Sequence, residues 1–99
     1  MEFLVRIDVN LPPDMNPEVR ADLLARESAR ARELIQAGLL VRIWRVPGRQ
    51  ANVSLYRAED ATEVHAAITS LPLWPWMDVS VEALAIHPLE QGAPRDEAE

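Results

Sequence analysis

In EFLVRIDVN the apolar residues Phe3, Val5, Ile7 and Val9 alternate with Leu4, Arg6 and Asp8. A period of two puts every second side chain on one face of a half-buried strand. Leu11-Pro12-Pro13-Asp14 ends it, because proline has no N–H to give to a ladder. Asn16-Pro17-Glu18 opens a helix: a capping side chain, a proline where no N–H is missed, and an acid favoured by the dipole. Gly38 supplies the stop, so the pattern predicts a helix over 17–37.

LLVRIWRV (39–46) and QANVSLYRA (50–58) read as two strands joined through Pro47-Gly48-Arg49, a hairpin signal. Ala61, Val64, Ile68 and Leu71 recur at helical spacing, which predicts a second helix over 59–70 entered through Glu59 or Asp60. After LPLWPW the alternation returns in MDVSVEALAI (77–86), the last strand. PLEQGAPRDEAE is rich in Pro, Gly and acids, so the expected domain is 1–88, with 89–99 an acidic tail, mobile or docked on a neighbour. The order βαββαβ is that of a ferredoxin-like α+β sandwich, an antiparallel four-stranded sheet with two helices on one face. Leu4, Trp44 and Val46 are apolar on the other face, where a second subunit is expected.

Ninety-nine residues make one small domain, with 48% apolar and 26% charged residues as in an ordinary globular protein. No run nears the roughly 20 apolar residues of a membrane helix and no leader precedes the first strand, so the expectation is a soluble cytoplasmic protein. There is no Cys, and all ten basic residues are Arg. That removes disulfides, thiolate chemistry, Schiff bases and lysine phosphate loops. A net charge of −6 and the lack of a basic stripe argue against nucleic acid. His65 and His87 stand alone without metal-ligand spacing, so no metal is expected.

One residue breaks the helical pattern. On a wheel of about 100° per residue with Val19 at zero, Leu23 falls near 40°, Leu34 near 60°, Ala31 near 120°, Leu24 near 140° and Ile35 near 160°. Glu27 falls near 80°, at the centre of that arc, with Asp22, Arg26, Arg32, Glu33 and Gln36 opposite. A carboxylate placed inside is costly unless paired or protonated, and its pKa rises. Two readings follow. Glu27 is either held in an ion pair by Arg30, Arg6 or Arg42, or is tuned for general acid/base work.

FLVRIDVNLPPDM, ARES around Glu27, IWRVPG, ANVSLY, LPLWPWMDVSVEALA and the closing His87-Pro88 resemble the muconolactone delta-isomerases, over nearly the whole chain to Pro88. The resemblance implies a ferredoxin-like fold of the dimeric α+β barrel type and a homo-oligomer, a decamer built from dimers. It implies a cofactor-free isomerase of aromatic breakdown that shifts a butenolide double bond, turning muconolactone into the enol-lactone of 3-oxoadipate. Glu27 matches the glutamate that shuttles the proton. Arg45 and Asn52 match positions suited to the lactone carbonyl or the substrate carboxylate, with an interface ion pair and a turn or ladder contact as their structural alternatives. Ser28 stands beside the base, and Trp74 and Trp76 are candidate cleft walls or plain interface core.

The pattern is also broken in places. Leu4, Ser28, Gln50 and Ile86 stand where such proteins commonly have His, Lys, Tyr and Arg. Losing cations at Ser28 and Ile86 predicts a less cationic pocket, unless other Arg residues compensate. The alternatives that follow are a paralogous lyase, dehalogenase or cyclase on a different lactone or enone, and a non-catalytic small-molecule-binding oligomer.

Overall fold

The computed structural model describes residues 1–90; most of the expected acidic tail lies outside them. Strand β1 (Glu2–Val9) leads to helix α1 (Pro17–Gln36), a hairpin of β2 (Leu40–Arg45) and β3 (Ala51–Arg57), helix α2 (Ala61–Thr69) and strand β4 (Met77–Leu84). Single 3-10 turns cover Trp74–Trp76 and Pro88–Glu90. The sheet order is β2-β3-β1-β4 with every pairing antiparallel, the ferredoxin-like arrangement predicted from the order of elements.

Local chemistry sets the helix ends. Asn16 Oδ1 accepts from the N–H groups of Glu18 at 2.8 Å and Val19 at 3.3 Å. At the other end Gly38 adopts a φ of 79°, and the Gly38 and Leu39 N–H groups donate to Ile35 and Leu34, a Schellman closure that a side chain with Cβ resists. Helix α2 starts two residues later than the spacing predicts. Asp60 is its cap, accepting from Glu63 N–H at 2.9 Å, and Glu63 Oε1 accepts from Glu59 N–H at 2.8 Å, so both acids remain outside the helical turns.

Phe3, Val5 and Ile7 point under the helices, as their alternation requires, and pack with Leu34, Val64, Ala67, Ile68 and Tyr56 into the core. Each fully buried large side chain of this kind contributes roughly 1.5–3 kcal/mol. The arc of α1 that turns inward is narrower than the wheel suggests. Leu23 and Leu34 are buried, but Val19 is 51%, Leu24 37% and Ile35 50% exposed. A helix meets a sheet along one stripe, and these three stand on its flanks. Glu27 lies beside Leu34 at the edge of the stripe, about 20° further round the wheel.

Strand β2 carries a register shift between Leu40 and Arg42. Leu40 pairs with Tyr56, yet Arg42 pairs with Leu55, Ile43 with Ser54, Trp44 with Val53 and Arg45 with Asn52. Without the extra residue Arg45 would face outward, since a slip of one position exchanges the faces of a strand. The shift brings Ile43 and Arg45 to the helix-covered face and leaves Arg42 and Trp44 on the open one. There the Arg42 guanidinium lies 5.1 Å from the Trp44 ring centre, and Leu4 is paired with Leu55. Among the described residues no helix is long and apolar enough to cross a membrane.

Candidate active site

The ion pair that the sequence left open for Glu27 does not form. Arg30 donates to Glu33 at 2.8 Å and to Ser70 Oγ at 2.8 Å, Arg6 is paired with Asp8 at 3.0 Å, and Arg42 is stacked over Trp44. Glu27 is half-buried, and its Oε1 accepts from the backbone N–H of Leu73 at 3.0 Å. That bond joins the middle of α1 to the segment between α2 and β4 and orients the carboxylate through one oxygen. Burial pushes the Glu27 carboxyl above its ordinary value, and the Leu73 N–H, which favours the ionised form, draws it only part of the way back. Tyr56, buried on β3, has its phenol pushed up to about 12, first by burial and then by the charge of Glu27.

Next to Glu27 lies a cleft of about 480 Å3, within the range of small-molecule sites. Val9, Leu11, Leu24, Ile43, Ala51 and Leu73 supply its apolar lining, and Arg20, Arg45, Gln50 and Asn52 its polar groups. Glu27 itself stands just behind this wall. Leu24 precedes it by three residues on α1, and Leu73 is its hydrogen-bond donor; both line the cleft. Arg45 and Asn52 face each other across the β2–β3 ladder. Asn52 Oδ1 is buried and has no hydrogen-bond partner among the described residues.

The structure thus brings Arg45 and Asn52 into the cleft lining and leaves Glu27 outside it, linked to it through the Leu73 N–H. It does not bring the other three predicted residues into the cleft lining: Ser28 is exposed on α1, Trp74 is 44% exposed and Trp76 is partly buried in its 3-10 turn. Among the cleft residues, Arg20 escaped sequence reasoning although the wheel carried a signal for it. Seven residues before Glu27, it falls near 100°, within the same stripe. Leu73 also went unread, because its contribution is a backbone N–H, which no side-chain pattern reports. His87 closes the Pro88–Glu90 turn, its Nδ1 accepting from Leu89 N–H at 3.1 Å.

A family model described as muconolactone delta-isomerase matches residues 1–90. The chain belongs to this family. Muconolactone Delta-isomerase of Rhodococcus opacus is 39% identical over 85 residues, covering 86% of this chain and 91% of that protein. Muconolactone Delta-isomerase 2 of Acinetobacter lwoffii is 42% identical over 87 residues, covering 88% and 91%. A crystal structure of muconolactone isomerase superposes with a TM-score of 0.87 at 33% identity, over 97% of this chain and 100% of the other. Family membership and fold therefore agree with what the sequence motifs imply.

Proposed function

We propose that this protein isomerises muconolactone, or a butenolide closely related to it, by a single-base proton transfer centred on Glu27. The observation that carries the reading is a half-buried carboxylate with no ion pair among the described residues, behind a cleft whose charged lining consists of Arg alone.

In the proposed reaction the ionised Glu27 takes a proton from the ring carbon gamma to the lactone carbonyl. The electron pair of that C–H bond delocalises through the existing double bond onto the carbonyl oxygen, giving a dienolate. Glu27, now protonated, returns the proton to the alpha carbon, and the double bond ends between the beta and gamma carbons. The net change moves one proton and one double bond. A carboxylate raised above its ordinary pKa suits both halves, since it is a stronger base when ionised and still a competent acid once protonated. Negative charge develops on the carbonyl oxygen, where the Arg45 guanidinium and the Asn52 amide are the donors at hand. Leu24, Ile43 and Leu73 limit water near the dienolate.

The acting form in this reading is a homo-oligomer, a decamer built from dimers, with Leu4, Leu55 and Trp44 of the open sheet face as natural dimer contacts; native mass spectrometry would count its chains. The isomerase reading is tested by following muconolactone with the purified protein in deuterated water. A migrated double bond, with less than one deuterium at the alpha carbon because Glu27 carries the abstracted proton across, is the expected result. An unmoved double bond would defeat it.

A further inference from the structure

The lining of the cleft has a charge opposite to that of the chain. The sequence holds 16 acids against ten Arg, a net charge of −6, yet Arg20 and Arg45 line the cleft with no Asp or Glu among its residues. Four other Arg are already held by carboxylates: Arg6 by Asp8, Arg26 by Asp22, Arg30 by Glu33 and Arg57 by Glu2. Arg20 and Arg45 form no ion pair among the described residues. Two guanidinium groups left without anions face one space from different elements, α1 and β2. Beside them Asn52 Oδ1 lacks a donor.

Position separates the tasks of these groups. At a rise of 1.5 Å per residue, Arg20 lies about 10 Å from Glu27 along α1. Its long side chain lines the cleft from that distance, reaching toward a carboxymethyl arm carried on the same gamma carbon that loses its proton. Arg45 enters the same cleft from β2, opposite Asn52 in the ladder. A guanidinium on an exposed helix face is fully charged and forked, the geometry that suits a carboxylate.

We propose that Arg20 is a specificity-determining residue which, with Arg45, receives the carboxylate arm of the substrate and makes the cleft prefer anionic over neutral lactones. This rests on the isomerase reading and deepens it. It also answers the loss of cations at Ser28 and Ile86: positive charge is present in the cleft, supplied from one turn nearer the start of α1 than Leu24.

The test compares the wild type, R20A and R20K on muconolactone and on its methyl ester. R20A raises KM for the acid about tenfold, the size of one charge-assisted hydrogen bond discounted for exposure. It leaves kcat and the ester's kcat/KM within about twofold, and R20K recovers part of the loss. Equal losses on acid and ester, or no loss on the acid, overturn the assignment. A saturated γ-lactone bearing a carboxymethyl arm, titrated calorimetrically, has no double bond to move. If the wild type fails to turn over muconolactone yet binds this compound about tenfold more tightly than R20A, the isomerase reading falls and the Arg20 assignment stands. Equal binding by the two proteins, or none by either, overturns the Arg20 assignment itself.

Discussion

Asp8 and Glu27 lie on opposite sides of one sheet, and their surroundings shift them in opposite directions. On the open face Asp8 receives the Arg6 guanidinium from two residues away on the same strand, at 3.0 Å and 3.3 Å. That hydrogen bond and charge hold its carboxyl below the usual carboxylate range, with the charge of Arg49 adding to the effect. On the helix-covered side Glu27 has a backbone N–H and no cation, and burial lifts it. The comparison separates what stabilises a carboxylate from what makes it reactive. A guanidinium at hydrogen-bonding distance neutralises the charge and ties up the lone pairs; partial burial beside a single amide leaves one oxygen with basicity to use.

The largest effect should come from removing the acid itself. Glu27→Gln retains an acceptor for the Leu73 N–H, so the fold should persist by circular dichroism while kcat falls about 10²- to 10⁴-fold, the usual worth of a positioned base. Asp8→Asn, by contrast, should leave turnover within about twofold. Full turnover by Glu27→Gln would show that the base lies elsewhere.

A smaller effect concerns pH. If the ionised Glu27 is the base, kcat/KM should rise with pH through an acid limb lying above the ordinary value of 4.5. Ser28→Lys, which puts a cation next to the base, should move that limb to lower pH. A limb at or below 4.5 in the wild type would remove the case for a base tuned by burial.

Stability should show the smallest difference, with opposite signs at the two sites. Glu27 is raised in the folded state, so the native protein binds its proton more tightly than the unfolded chain does. Its contribution is present below 4.5 and is lost as pH rises through the raised value. Glu27→Gln should therefore melt no lower than the wild type at pH 7 and lose that advantage in acid. Asp8 is lowered, so its contribution is present above its ordinary value of 3.8 and disappears as pH falls through the lowered one. Asp8→Asn should melt slightly below the wild type at pH 7, and thermal melts at pH 7 and pH 3.5 read both signs.

Much of this was legible in one dimension. Alternation in Phe3, Val5 and Ile7, the Asn16-Pro17 start, the Gly38 stop and the Pro-Gly hairpin all depend on contacts within a few residues, and each element lies within two residues of its predicted ends. The α2 start was misplaced because Glu59 and Asp60 look like helical acids until their capping bonds are known. On the wheel, Val19, Leu24 and Ile35 looked inward, because periodicity reports which residues share a face but not how wide a strip the sheet covers.

By itself, then, the sequence determined the order of elements, the family and an acid at the centre of the apolar stripe of α1, because these are local or periodic properties. Only the tertiary structure decided that the acid has no ion pair among the described residues. Its three candidate Arg partners are each engaged elsewhere: Arg30 with Glu33 and Ser70, Arg6 with Asp8 and Arg42 with the Trp44 ring. It likewise decided that Arg45 faces the cleft, through one extra residue in β2, and that Arg20 joins it from two turns up the helix. Such facts depend on which of several possible partners lies within a few ångströms, and distance across the fold is not written in spacing along the chain.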